Sequence, residues 1–198
     1  MPFPMLWVVY GILGGTFDPP HIAHLAAAHA AYEQMGLDHV RLLPAREPWQ
    51  KFDRGVTSPK HRLAMARLAA AEADYLVVDE TEMHRRGPTY TIDTLESLEG
   101  DPVLILGSDS AIGIPSWHRA EDVLAMAKIA VVPRPTVSFE AVTAAIGDSY
   151  TPISMPTLDL SATEIRDHIR AGRSPGFLVP QSVLFYIDAN DLYRKRDA

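Results

Sequence analysis

Two histidines stand three residues apart directly after a glycine pair. The segment reads Gly14-Gly15-Thr16-Phe17-Asp18-Pro19-Pro20-His21-Ile22-Ala23-His24. Residues 6–13 are rich in apolar side chains without alternation, which predicts a buried parallel strand that ends at the glycines. Residues 25–35 are alanine-rich and predict a helix, whose unpaired N–H groups and dipole favour an anion at its start. Two imidazoles at that position predict a phosphate site of nucleotide type.

The same histidine pair permits a second interpretation. Histidines at positions i and i+3 share a helix face, as zinc ligands often do. The chain has no cysteine, and no nearby cluster of histidines offers a third ligand. The glycine turn also has no role in a metal site. We therefore expect no metal ion bound by the protein alone.

A second chemical pattern lies near the other end of the chain. Ser161 and Glu164 have the spacing of a capping box, in which a serine caps a helix and a glutamate returns to the serine N–H. Thr163 and Arg166 are then left to face an anion. A guanidinium pairs with phosphate in a planar fork and keeps its charge, so Arg166 is the stronger candidate for chemistry.

The segment of residues 14–24 resembles the signature of the nucleotidylyltransferase superfamily. Its G-G-T-F-D-P sequence resembles that of the bacterial nicotinate-nucleotide adenylyltransferases. Residues 160–166 are similar to the I-S-S/A-T-x-I-R motif of that family, which holds ATP phosphates. The resemblance implies catalytic roles for His21, His24 and Arg166. It implies that ATP contacts these three residues together with Gly14, Gly15, Thr16, Phe17, Gly107, Asp109, Ser161 and Thr163.

The middle of the chain resembles the mononucleotide-binding part of the same family. Residues 87–95 are similar to its P-S/T-Y-T-x-x-T-L segment, and residues 107–110 and 116–118 to its G-x-D and W motifs. A tryptophan offers a flat apolar face for a pyridine ring, and a threonine hydroxyl can satisfy a carboxylate. The resemblance implies a mononucleotide site formed by Lys51, Thr89, Tyr90, Trp117, His118 and Arg134.

Three positions depart from the family pattern or permit two interpretations. Ala23 replaces the usual glycine, and we expect its methyl group to crowd the ATP ribose or base without abolishing activity. Gln50 replaces a histidine beside Lys51, which removes a charge from a predicted phosphate contact. Asp18 either helps to position Mg²⁺ or caps the turn.

Composition restricts the class of protein. The 198 residues carry 18 basic and 25 acidic side chains, a formal charge of −7, which argues against an extended nucleic-acid surface. An apolar fraction of 47% and this length predict one globular domain over residues 1–198. The first residues lack a basic leader, and no apolar run is long enough for a membrane span. We expect a cytoplasmic protein without membrane contacts; the sequence leaves monomer or homo-oligomer undetermined.

Strand-like and helix-like segments alternate along the whole chain. Such alternation predicts an α/β fold, a Rossmann-like doubly wound parallel sheet with helices on both faces, of nucleotidylyltransferase type. The predicted strands are residues 6–13, 39–43, 75–78, 103–106, 129–132 and 151–155. The predicted helices are residues 25–35, 59–72 with Ser58 as its capping serine, 91–98, 120–127, 139–146, 182–189 and one that follows Ser161.

The resemblance implies adenylyl transfer from ATP to nicotinate mononucleotide in NAD biosynthesis, with Mg²⁺ held mainly by ATP oxygens. The same chemistry on nicotinamide mononucleotide or phosphopantetheine remains open, as does a catalytically silent nucleotide-binding regulator. A fragment of a class I aminoacyl-tRNA synthetase is disfavoured, because the chain lacks a K-M-S-K-S-like run and is acidic.

Overall fold

The structure is a computed structural model that describes residues 8–46, 56–85, 87 and 89–194. The strands in these ranges are β1 (Val9–Gly15), β2 (His39–Pro44), β3 (Leu76–Val78), β4 (Asp101–Gly107), β5 (Lys128–Val132) and β6 (Thr151–Pro152). The α-helices are α1 (Ile22–Met35), α2 (Pro59–Ala70), α3 (Thr81–His84), α4 (Thr91–Glu96), α5 (Ser108–Ala111), α6 (Ala120–Met126), α7 (Phe139–Ile146), α8 (Ala162–Arg170) and α9 (Gln181–Ala189). Short 3₁₀ turns within the described ranges cover Ile114–Ser116 and Gly176–Leu178.

The six strands form one sheet in the order β3-β2-β1-β4-β5-β6. The pairs β1 with β4, β4 with β5, and β5 with β6 are parallel. This order is that of a doubly wound sheet, in which successive crossovers run first to one side of β1 and then to the other. The predicted Rossmann-like α/β class is confirmed.

The central strands are buried on both faces, as their continuous apolar runs predict. Four consecutive residues are buried in β1, in β4 and in β5. Gly11 in β1 permits especially close packing, since a Cβ there would lie 2.8 Å from Ile105 Cδ1 and 2.9 Å from Leu37 Cδ1. A Cβ at this point of the sheet would therefore force the ends of these two side chains to shift.

Two boundaries near the glycine pair differ from the sequence-based expectation. Strand β1 continues through Gly14 and Gly15 instead of ending before them. Helix α1 begins at Ile22, three residues earlier than predicted, because the N–H groups of His24 and Leu25 already bond to the His21 carbonyl. His24 thus lies inside the first helical turn and His21 directly precedes it.

Other elements are shifted or were missed. Ser58 precedes α2, with Pro59 in the first turn as predicted, but the serine side chain makes no capping bond. The sequence analysis missed α3 and α5, whose four residues are too few to show a helical period. The last strand is shorter than predicted and ends at Pro152. Helix α7 has the predicted bounds.

The chain folds as two compact units. One contains the described residues of 1–13, 27–41 and 90–157, and the other those of 14–26, 42–89 and 158–198. The first unit includes most of the sheet, and its core contains the buried residues of β4 and β5. The expectation of a single domain stays a prediction.

The second unit has a helical core of its own. Side chains from α1, α2, α8 and α9 bury one another there, among them Ala23, Met65, Ile165, Val183 and Ile187. This packing fixes the start of α1 and the start of α8 in the same unit. Ala23 packs in this core with 8% of the residue exposed, and the expected effect of its methyl group on ATP stays a prediction.

Among the described residues, no helix has both the length and the apolar character needed to cross a membrane.

Candidate active site

The two histidines of the first motif are stacked on each other. The ring centroids of His21 and His24 lie 3.7 Å apart, with 28° between the ring planes. His21 is buried and His24 is half-buried. Both belong to the second unit, at the point where helix α1 begins. The predicted pairing of these side chains is therefore present.

The backbone fixes the orientation of the His24 ring. The N–H of His21 donates to His24 Nδ1 at 3.2 Å. Since Nδ1 accepts this bond, the proton of a neutral imidazole is on Nε2. His24 therefore presents Nε2–H as a hydrogen-bond donor, and the Phe17 ring packs against it with the centroids 5.0 Å apart.

The glycine loop, residues 14–21, joins β1 to α1. Its two glycines differ in surroundings: a Cβ at Gly14 would meet no atom within 4 Å, whereas one at Gly15 would lie 3.2 Å from Phe17 Cζ. Phe17 is buried and has a left-handed φ of 49°. The peptide bond between Asp18 and Pro19 is cis. Gly14 is the exposed position at which a ligand can approach the backbone.

The second motif begins helix α8 with the predicted capping box. Ser161 Oγ accepts from the N–H of Glu164 at 3.2 Å, and the Glu164 carboxylate accepts from the N–H of Ser161 at 2.8 Å. The Ser161 side chain therefore serves the helix. Thr163 is exposed, and its hydroxyl accepts from Arg166 at 3.2 Å.

Arg166 connects the second motif to the first. Its Nη1 donates to the backbone carbonyl of Asp18 at 2.7 Å, across 148 positions of sequence. Its Nε is buried and has no hydrogen-bond partner among the described residues. A buried donor without a partner costs free energy, and an anion would satisfy it. The guanidinium is thus held at the glycine loop with one donor still available.

The Asp18 carboxylate is used within the protein. Asp18 is 2% exposed; its Oδ1 accepts from the Tyr193 hydroxyl at 2.7 Å, and its Oδ2 accepts from the N–H of Thr57 at 3.0 Å. Burial and the adjacent Asp18 raise the pKa of the Tyr193 phenol, so the hydroxyl remains a donor. Of the two interpretations of Asp18, a structural role in holding the turn fits these contacts.

Arg62 is 1% exposed, and among the described residues its guanidinium donates only to backbone carbonyls. The acceptors are Thr57, Thr16, Ala45 and Arg46, at 2.6–2.9 Å. Burial lowers the pKa of this guanidinium, and the nearby Asp18 opposes the shift. Arg62 therefore holds the glycine loop, the end of β2 and the start of α2 together.

The first unit contains a separate group of predicted residues at the end of β4. Arg134 Nε lies 3.6 Å from Asp109 Oδ2. Gly107 gives these side chains room, since a Cβ there would meet Asp109 Oδ1 and would lie 3.0 Å from Arg134 Cγ. The N–H of Arg134 donates to Ser108 Oγ at 3.1 Å. The structure thus brings Gly107, Asp109 and Arg134 together.

Two predicted aromatic residues also pair in the first unit. The Tyr90 and His118 rings lie 4.6 Å apart at 38°. Trp117 next to His118 is half-buried, which leaves part of its indole surface exposed. Its backbone N–H donates to Ile114 at 2.8 Å, which fixes the chain at this point.

Thr89 lies in the second unit and is buried. Its Oγ1 makes no hydrogen bond to any described residue. A buried hydroxyl of this kind is available to a ligand. The predicted contact Lys51 and the neighbouring Gln50 lie outside the described residues.

No group of three or more histidine or carboxylate side chains within the described ranges could hold a metal ion. Asp18 already accepts two hydrogen bonds through its carboxylate.

Comparison with known proteins decides the family. A family model described as cytidylyltransferase-like matches residues 12–168. The probable nicotinate-nucleotide adenylyltransferase of Pseudomonas entomophila is 44% identical over 93% of this chain and 94% of its own length. The protein of the same name from Acidothermus cellulolyticus is 38% identical over 94% and 95%. The chain belongs to the nicotinate-nucleotide adenylyltransferase family.

Solved structures agree on the fold of this adenylyltransferase family member. Plasmodium falciparum nicotinic acid mononucleotide adenylyltransferase, complexed with NaAD, has a TM-score of 0.77 at 19% identity, over 93% of this chain and 97% of that one. The same Plasmodium enzyme complexed with APC has a TM-score of 0.73 at 20% identity, over 93% and 96%. At these identities the likeness shows the fold alone.

Sequence analysis of this adenylyltransferase family member missed Arg62 and Tyr193. Together with Arg166 they form the glycine-loop network, the set of side chains that hydrogen-bond to the loop of residues 14–21. A signal for Arg62 was present: with Met65, Ala66 and Ala69 it has the i, i+3, i+4, i+7 spacing of a buried helix face. A charged residue on such a face requires partners. Tyr193 had no comparable signal, because its partner lies 175 positions earlier.

Proposed function

We propose that this chain transfers the adenylyl group of ATP to nicotinate mononucleotide, giving nicotinate adenine dinucleotide and pyrophosphate, in NAD biosynthesis. The hydrogen bond from Arg166 to the Asp18 carbonyl carries this proposal, because it joins the two phosphate motifs in one unit. The names of the two similar bacterial proteins support the choice of acceptor.

The reaction needs no protein nucleophile. A 5′-phosphate oxygen of the mononucleotide attacks the α-phosphorus of ATP in line. The bond from that phosphorus to the oxygen bridging to the β-phosphorus breaks, and pyrophosphate leaves with the oxygen and its electron pair. The protein then contributes positioning and stabilisation of the charge that develops on the phosphates.

His21, His24 and Arg166 are the proposed catalytic residues. The Nε2–H of His24 donates to a phosphate oxygen, and the stacked His21 holds its ring. The unpaired Nε–H of Arg166 donates to the same phosphate group. Fixed donors of this kind lose little free energy in reorganisation when charge develops.

The remaining proposed ATP contacts are backbone or small polar groups. Gly14 has the open surface at which phosphates can approach the backbone. Gly15, Thr16 and Phe17 shape the loop, and Ser161 and Thr163 begin helix α8. Gly107 and Asp109, in the first unit, are proposed for the remainder of the nucleotide.

Mg²⁺ is proposed to enter on ATP and to neutralise part of its phosphate charge. Because Mg²⁺ keeps several waters and is bound through substrate phosphates in such enzymes, it needs few protein ligands. The protein residues orient the phosphates that carry the ion.

The proposed mononucleotide contacts have matching chemistry. Trp117 has exposed indole surface for the pyridine ring, and Tyr90 and His118 form an aromatic pair. Thr89 has a hydroxyl with no protein partner in the described chain, as a carboxylate ligand requires. Arg134 and Lys51 are proposed for the phosphate.

The test is pyrophosphate release from ATP and Mg²⁺ with three acceptors at equal concentration. The acceptors are nicotinate mononucleotide, nicotinamide mononucleotide and phosphopantetheine. We expect the nicotinate form to be preferred. Preference for another acceptor would change the proposed substrate but not the proposed reaction. The absence of pyrophosphate release with all three acceptors would contradict the proposed activity.

A further inference from the structure

The hydroxyl of Tyr193 contacts the glycine loop from the far end of the chain. It donates to Asp18 Oδ1 at 2.7 Å and lies 3.7 Å from Met65 Sδ. Tyr193 has a left-handed φ of 65°, a conformation that non-glycine residues rarely adopt without tertiary support. The backbone of this terminal segment is thus shaped to bring the phenol to Asp18.

Asp18 connects that phenol to the proposed catalytic arginine. Its carboxylate accepts from Tyr193, while its backbone carbonyl accepts from Arg166 at 2.7 Å. Tyr193 and Arg166 therefore bond to opposite ends of one residue. A bond that restrains the Asp18 carboxylate therefore restrains the residue whose carbonyl anchors the guanidinium.

The other contacts of Asp18 and of the glycine loop do not involve the carboxylate oxygen that Tyr193 contacts. Thr57 holds the second carboxylate oxygen at 3.0 Å, and Arg62 holds the loop through the Thr16 carbonyl at 2.9 Å. Neither contact reaches Oδ1. Within the described residues, the bond from Tyr193 is therefore the one that holds Oδ1 and restrains the rotation of the carboxylate.

We propose that Tyr193 is a positioning residue for adenylyl transfer, which acts through Asp18 on the Arg166 guanidinium. The proposal rests on the proposed function, since Arg166 is assigned there to the phosphates of ATP. Tyr193 itself touches no reacting atom. Its contribution is the geometry of the Arg166 donors.

The test compares Tyr193→Phe with Tyr186→Phe. Phenylalanine keeps the ring and removes only the hydroxyl. Tyr186 is a matched control, because its hydroxyl also makes a partly buried hydrogen bond. The bond joins it to His61 Nδ1 at 2.9 Å and does not involve the glycine loop. The readouts are the dissociation constant of α,β-methylene-ATP, kcat, both KM values and the thermal unfolding midpoint.

We expect Tyr193→Phe to weaken the binding of α,β-methylene-ATP about tenfold and to lower kcat/KM for ATP by a similar factor. This is the scale of the free energy of one hydrogen bond to a carboxylate. The KM for the mononucleotide at saturating ATP should stay within about twofold. Tyr186→Phe should keep all three constants. Asp18→Asn combined with Tyr193→Phe should cost no more than the larger single change, because both act on one contact.

Two outcomes would overturn the proposal. One is equal analogue affinity in Tyr193→Phe and Tyr186→Phe; the other is a lowered unfolding midpoint in Tyr193→Phe with unchanged constants, which is the result of a purely structural role. The binding measurement needs no turnover. It therefore decides the role of Tyr193 even where the wild type releases no pyrophosphate with any acceptor, the outcome that contradicts the proposed function.

Discussion

The guanidinium of Arg166 donates a 2.7 Å hydrogen bond to the backbone carbonyl of Asp18. These residues belong to two short motifs at opposite ends of the chain, and the bond holds the arginine of one motif against the glycine loop of the other. A planar guanidinium is suited to this task, because it can bond to the loop and still direct a further N–H toward a ligand.

Replacement of Arg166 tests this arrangement. We expect Arg166→Ala to lower kcat by about 10²–10³-fold, the usual cost of one fixed charge-stabilising donor. Arg166→Lys should be intermediate, because an ammonium cannot reproduce the bonds to both Asp18 and Thr163. Arg170→Ala is the control on the same helix, where the exposed Arg170 pairs with Asp167. A folded, fully active Arg166→Ala protein would remove Arg166 from the mechanism.

His24 should matter through its Nε2–H. We expect His24→Ala to lower turnover by about 10²–10³-fold with the fold intact, since one donor in such a site contributes about 2.7–4 kcal/mol. His29→Ala, on the exposed face of the same helix, should keep wild-type turnover. Steady-state pyrophosphate release and circular dichroism measure the two properties. Unchanged turnover in His24→Ala would refute the proposed role.

Trp117 should affect one substrate more than the other. Because its half-buried indole is proposed to stack on the pyridine ring, Trp117→Ala should raise the KM for the mononucleotide more than that for ATP. Trp117→Phe keeps a flat aromatic face and should recover much of the loss. Equal increases in both KM values would indicate that Trp117 only supports the fold.

The glycines of β1 should separate stability from activity. We expect Gly11→Ala to lower the free energy of unfolding by about 1–3 kcal/mol, since its Cβ would overpack against Ile105 and Leu37. Gly14→Ala should keep stability within about 0.5 kcal/mol, because its Cβ meets open space.

Gly14→Ala should nevertheless reduce pyrophosphate release, since the added methyl group lies where the phosphates are proposed to approach the backbone. Urea unfolding and turnover measured on both variants test the pair. A stable, fully active Gly14→Ala protein would argue against backbone contact with phosphate at that position.

His39 should make stability depend on pH. Burial and the neighbouring Arg41 lower the pKa of His39 below the ordinary histidine value of 6.5, and Arg41 donates to its Nε2 at 3.1 Å, which requires that nitrogen to be unprotonated. Between the folded-state pKa and 6.5 the unfolded chain binds more protons than the folded chain. Stability from this group is therefore complete above pH 6.5 and decreases as the pH falls through that window.

Two measurements check this expectation. The His39 ring should titrate below 6.5 in an NMR experiment, and His39→Asn should flatten the decline of unfolding free energy between neutral and mildly acidic pH. An ordinary midpoint for the ring would contradict the assignment.

The sequence predicted the parts of the fold that depend on local pattern. Helix α7 and the capping box of α8 were found because their signals lie within a few residues. The two motifs that carry the predicted phosphate contacts were recognised for the same reason, and their role stays a prediction. Helices α3 and α5 were missed, because four residues do not define a period.

The contacts that assemble the glycine-loop network could not be predicted locally. The bonds from Arg166 and Tyr193 to Asp18 span 148 and 175 positions, and nothing in either segment specifies the partner. The direction of the Ala23 methyl group was likewise set by packing against other helices and not by the motif in which Ala23 lies.

The buried guanidinium of Arg62 has a consequence for how a nucleotide is received. Its bonds to carbonyls of the glycine loop, of the two residues after β2 and of the segment before α2 are made inside the protein. The conformational entropy of ordering the loop is therefore lost when the chain folds. A ligand that arrives later meets a preorganised surface and loses less affinity to the ordering of its own binding site.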